Sequence, residues 1–236
     1  MLIKNSKPFN IGALFAVTFL GVLFMIFSPV FQGKNGLEFA DESFNKLAKG
    51  SSYFIPKVAK SIEKLSGKLV AVSISLEKSD DAINTEKILT LAGAKVSRND
   101  VTLKVEGDLA VLLQSALKDA DAMYNNDGKV LSDRYGMDEK KALKYWWQAL
   151  SKIEKQMKKD KNIETAKIIS EVNKKGIEPG YNFYKIDANK VIDHAGMMSG
   201  LLVFYVFYTM WWGYAIFYLF DGIGLTMKKA KVKKEA

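Results

Sequence analysis

The sequence predicts an α+β chain in which two transmembrane helices, one near each terminus, enclose a mostly helical exported domain with a small β-α-β-β-α unit. Three observations predict it. Residues 8–32 and 195–220 contain no charged side chain, whereas 28 of the 35 basic and 24 of the 26 acidic residues lie in 32–194. Within that middle, apolar residues mostly recur three and four apart, the period of a helix face. Near its centre, short β-branched runs bounded by turn residues carry the strand pattern instead.

Residues 1–8 read as a cytoplasmic N-terminus, 9–31 as transmembrane helix 1, 32–194 as an extracytoplasmic (periplasmic) domain, 195–221 as transmembrane helix 2 and 222–236 as a lysine-rich cytoplasmic tail. At 1.5 Å rise per residue, residues 11–31 reach roughly 32 Å and 197–220 roughly 36 Å, each enough for one hydrocarbon core. A cleavable signal peptide has a shorter apolar region and small residues at its cleavage site. Ser28, Pro29, Val30 and Phe31 offer no such site, so an uncleaved anchor is expected. Lys4 and Lys7 before the first span, and Lys228, Lys229, Lys231, Lys233 and Lys234 after the second, place both termini inside a bacterial inner membrane. The net charge of +9 is therefore partly a topology signal, and no nucleic-acid partner is expected. Only Arg98 and Arg134 are arginine, the residue whose planar fork suits phosphate and carboxylate.

Along the exported domain, residues 37–47 and 56–65 predict two helices, separated at Lys49, Gly50, Ser51 and Ser52. Residues 69–76 predict a strand, and a helix capped by Ser79 or Asp80 follows and stops at Gly93. Residues 94–98 and 101–106 predict a hairpin turning at Asn99 and Asp100, and Asp108 caps the next helix. Residues 138–159 predict the longest soluble helix, with Leu143, Trp146, Trp147, Leu150, Ile153 and Met157 as its apolar stripe. On this reading Trp147 is a core side chain whose truncation costs about 3–5 kcal/mol, while Lys144 faces solvent. Residues 163–175 predict a shorter helix ended by Gly176, Pro179–Tyr184 a turn, and Asp187 the cap of a helix running into the second span.

No catalytic constellation is evident. The absence of cysteine removes thiolate nucleophiles, cysteine metal sites and disulfides, and the single histidine removes two-histidine metal sites within one chain. No cofactor is expected. His194, where the second span begins, is the one candidate for a haem or quinone contact. Asp119, Asp121, Asn125 and Asp127 concentrate oxygen ligands as a calcium site does, but their spacing fails the EF-hand pattern. Asp221 is a candidate intramembrane acid, interfacial in placement.

The strongest signal is ten aromatics within residues 204–220. Interfacial belts explain those at the ends, but Tyr208, Trp211 and Trp212 fall near mid-bilayer, where indole N–H and phenol O–H groups find no water. Phe204, Phe207, Tyr208, Trp211, Trp212, Tyr214 and Tyr218 are therefore expected to dock against a partner. Gly12 with Ala16, and Gly196 with Gly200, supply small-residue helix contacts. These features point to a non-catalytic accessory or scaffold subunit of a larger inner-membrane complex, with the bilayer and other membrane subunits as partners. The layout is also similar to that of bacterial chain-length regulators of surface polysaccharide, which implies a homo-oligomer. That resemblance is of topology alone, since no matching proline-rich motif stands at the second span.

Overall fold

The computed structural model describes residues 3–225, and the basic tail expected beyond them lies outside the described residues. The chain divides into two compact units. One joins the residues up to Phe44 with those from Lys190, and the other is Asn45–Asn189.

The first unit is built on α1 (Ser6–Phe27) and α10 (Ala195–Gly222). Both are long and apolar enough to cross a membrane. Helix α1 ends where Pro29 forces its predecessor out of helical geometry, and Ser28 is extended. The two helices run antiparallel, because Phe9 meets Gly222, Gly12 meets Ala215 and Leu219, and Phe19 meets Tyr208 and Trp212. At Gly12 a side chain would stand 2.6 Å from the Leu219 nitrogen and 2.9 Å from the Ala215 carbonyl, so only glycine allows this approach. The backbone N–H groups of Lys4 and Asn5 both donate to the Gly222 carbonyl at 2.9 Å, and the Asn5 amide donates to the Asp221 carbonyl at 3.2 Å. The start of α1 thus satisfies carbonyls that the end of α10 would otherwise leave open.

The second unit takes the end of α2 (Gly36–Ser51), then α3 (Ile55–Glu63), β1 (Leu69–Ser75), α4 (Ser79–Leu91), β2 (Lys95–Asn99), β3 (Thr102–Asp108) and α5 (Leu109–Tyr124). It continues with α6 (Lys129–Tyr135), α7 (Glu139–Lys159), α8 (Ile163–Val172), a π-helical turn (Asn173–Ile177) and α9 (Glu178–Asn182). The expected β-α-β-β-α order is present. All strand pairs are antiparallel in the order β1-β3-β2, with Val72 opposite Val105 and Val96 on its other side. Alternation does the sorting: Val70, Val72, Ile74, Leu103 and Val105 turn inward, and the residues between them face out. Asp108 caps α5 through the Ala110 and Val111 N–H groups at 2.8 and 3.2 Å, and Asp138 caps α7 through Lys141 at 2.9 Å.

Several expectations are corrected. Helix α2 runs through Lys49 and Gly50 to Ser51, one turn beyond the expected break. The N-cap of α4 is Lys78, with no side-chain cap bond, and Ser79 is already helical. Residues 129–135, which no expected element covers, form α6. Gly176 does not end a helix: it is buried beneath Leu117, and the chain continues through the π turn into α9. Pro179 is accommodated in the first turn of α9, where a missing N–H costs nothing. The segment after α9 is irregular, with a 3₁₀ turn at Val191–His194 before α10, so Asp187 caps no helix.

The largest correction concerns α7. Trp146 is fully buried, whereas Trp147 is 42% exposed. Adjacent residues on a helix differ by about 100° in direction, so a stripe edged by two tryptophans admits only one to the core. Trp146 wins because its indole N–H reaches Asp119, and the core-truncation cost belongs to it.

Candidate functional site

The aromatic residues of α10 divide into two sets. Tyr208 stacks on Phe19 with ring centroids 4.1 Å apart, Trp212 lies 4.7 Å from the same ring, and Tyr218 meets Phe15 edge-on at 6.1 Å. The Tyr208 hydroxyl donates to the Phe19 carbonyl at 3.4 Å. Tyr208, Trp212 and Tyr218, expected to dock on a partner, thus contact α1 within the chain, and Trp212 remains 38% exposed. Phe204 leans on Tyr208 at 5.3 Å. The Trp211 indole N–H is covered and has no acceptor among the described residues.

A second face of α10 has no counterpart in α1. Gly196, Gly200, Val203, Phe207, Met210, Tyr214, Phe217 and Asp221 follow one another at alternating spacings of four and three, the period of a helix-packing seam. Val203, Phe207, Met210, Tyr214 and Phe217 are each at least 45% exposed. Nothing lies within 4 Å of where a side chain would stand at Gly196 or Gly200. Of the small residues expected to pack, Gly12 is buried and Ala16 partly buried, while Gly196 and Gly200 border open space. Asp221 is half-buried in the last turn of α10, and His194 is half-buried at its N-cap.

The oxygen-rich turn does not converge on a metal. Asp119 points into the core, where it accepts the Tyr135 hydroxyl at 2.5 Å, the Trp146 indole N–H at 2.8 Å and an Arg134 guanidinium N–H at 3.1 Å. Burial, and then the Asp119 carboxylate, push the Tyr135 hydroxyl well above its ordinary pKa. Asp121 lies on a different side, bonded to Tyr53 and Asn125 at 2.9 Å each, and Asp127 is exposed. Asp119 is thus the acceptor at the centre of a structural network.

Sequence reasoning missed Lys49, one lysine among 33. It is 3% exposed, and its ammonium donates to the Ile186 carbonyl at 2.5 Å, Asn126 Oδ1 at 3.0 Å and the Phe183 carbonyl at 3.1 Å. Burial pulls its pKa below the ordinary lysine value, with Asp187 acting in the opposite direction. Tyr124 donates its hydroxyl to the Lys49 carbonyl, and the Asn189 N–H reaches the Lys46 carbonyl at 3.0 Å. The entry and exit of the second unit are therefore fastened side by side. Lys49→Met leaves three acceptors short of a donor and is expected to cost about 1–3 kcal/mol, read as a lowered denaturant midpoint of the full chain. An unchanged midpoint would show that the fastening contributes nothing to stability.

The second unit also holds an apolar cleft of about 310 Å³ between α7 and α9, lined by Leu143, Lys144, Trp147, Ile177, Glu178, Tyr181 and Asn182. No family model, curated protein or solved structure matches this chain.

Proposed function

We propose that this chain is a non-catalytic accessory or scaffold subunit of a larger inner-membrane complex, and that it docks through the second face of α10. The exposed seam from Val203 to Phe217 carries this reading. Gly196 and Gly200 stand open on the same face, where small residues let another helix approach closely. The Tyr214 hydroxyl has no partner among the described residues, and a polar group left so in hydrocarbon is costly. A neighbouring helix would supply both contact and acceptor. In this reading α1 and α10 span the bilayer with both termini cytoplasmic, supported by Lys4 and Lys7 before the first span and the basic residues after the second. The second unit is extracytoplasmic, and its side-by-side entry and exit suit a domain held between two spans.

Native mass spectrometry after purification in mild detergent tests this. The expected result is a complex containing unlike subunits. Replacing both Phe207 and Tyr214 by leucine should keep insertion, since leucine is favourable at a helix centre. It should also weaken subunit recovery roughly 3- to 30-fold, the equivalent of about 0.6–2 kcal/mol. Leu202→Ala, on another exposed side of α10, serves as the control. A monomer, or a homo-oligomer of the polysaccharide-regulator kind, would overturn the proposal.

A further inference from the structure

The cleft between α7 and α9 is built rather than left over. Its floor is Leu143 and Ile177, both buried, and the π-helical turn ends at Ile177. Such turns recur at functional sites because the extra residue redirects side chains. Its walls are Trp147 and Tyr181, 42% and 37% exposed. Both walls are held in place: the Trp147 indole N–H donates to Glu178 Oε1 at 3.0 Å, and the Lys140 ammonium sits 5.1 Å above the Tyr181 ring. At about 310 Å³ the space lies at the small end of ligand pockets, enough for one ring or a short branched chain.

The charges at its rim choose the ligand. Glu178 is engaged by Trp147 and Lys140 by Tyr181. Lys144, which lines the cleft, makes no hydrogen bond, ion pair or ring contact among the described residues. The charge left without a partner on the lining is thus the Lys144 ammonium. We propose that this cleft binds a small organic anion with one aromatic or branched aliphatic group. The apolar group rests on Leu143, Ile177, Trp147 and Tyr181, and the carboxylate pairs with Lys144.

Three water-soluble probes that share a phenyl ring test the assignment: 3-phenylpropionate, phenylalanine and 2-phenylethylamine. Each is titrated calorimetrically into the full chain held in lipid nanodiscs, with empty nanodiscs as the blank. Saturable binding of 3-phenylpropionate is expected, at least about tenfold tighter than that of 2-phenylethylamine. Lys144→Gln should weaken 3-phenylpropionate roughly tenfold with no change in thermal unfolding, and Lys144→Arg should retain binding. Trp147→Ala should weaken all three probes. Absence of saturable binding, equal binding of the amine, tightest binding of phenylalanine, or unchanged affinity in Lys144→Gln would each overturn the proposal.

Discussion

Asp119→Ala is expected to destabilise the Asn45–Asn189 unit by about 3–5 kcal/mol, the cost of breaking a buried charged network by removing one partner. The carboxylate is 2% exposed and answers three donors from two other elements: Arg134 and Tyr135 from α6, and Trp146 from α7. Without it, the indole and phenol lose acceptors inside a closed core, and the Arg134 guanidinium loses its counter-charge. Trp146→Ala, which empties the largest fully buried side-chain site, belongs to the same range of about 3–5 kcal/mol. Denaturant unfolding of the full chain, followed by far-ultraviolet circular dichroism, reads both. Asp121→Ala and Trp147→Ala provide the contrast, because both side chains lie at the surface and each should cost about 1 kcal/mol or less. Equal losses for Asp119→Ala and Asp121→Ala would refute the assigned centre of the network.

The second large effect is expected at Gly12. In Gly12→Leu the new side chain meets the α10 backbone at Ala215 and Leu219, which cannot swing aside as a flexible side chain can. The helices must part, at a cost of about 1–3 kcal/mol or more. The Phe19 stack on Tyr208 and the bonds from Lys4 and Asn5 to Gly222 are lost with them. Because the chain has no cysteine, a background-free assay exists. Lys4→Cys and Leu225→Cys stand beside the contact of Lys4 with Gly224 and should be bridged efficiently by a short bismaleimide. Adding Gly12→Leu should abolish most of that bridging. Gly21→Leu, placed where nothing lies within 4 Å, should leave it intact. Bridging that survives Gly12→Leu would mean that the two helices are not held together at this glycine.

Much of the fold was legible in the sequence because the strongest signals are one-dimensional. Uninterrupted apolar length gave both long helices. A β-branched run bounded by turn residues gave β1, alternation gave β3, Asn99 and Asp100 gave the hairpin, and Asp108 gave the cap of α5. Each rests on chemistry within a few residues of itself. The misses share another cause. Gly176 looks like a stop in sequence, yet Leu117, far along the chain, decides that it is a packing position. The short helix α6 is held by Leu131 and Tyr135, both fully buried, and by Arg134 reaching Asp119, and no local pattern announces that partnership.

The candidate sites divide in the same way. An aromatic-rich second helix with small residues near it follows from composition and spacing. Which aromatics stay within the chain is set by the rotation of α10 about its axis, and Gly12, Ala215 and Gly222 fix that rotation through backbone contact. The same contact turns Phe207 and Tyr214 outward. The two tryptophans of α7 make the point most sharply. The sequence alone determined that α7 is an amphipathic helix carrying an indole pair at the edge of its apolar stripe. Only the tertiary structure decided that Trp146 is core and Trp147 the wall of a cleft. The reason is that periodicity fixes direction to within one helical step, whereas burial also depends on whether a distant carboxylate, here Asp119, stands ready to accept the proton an indole carries inside.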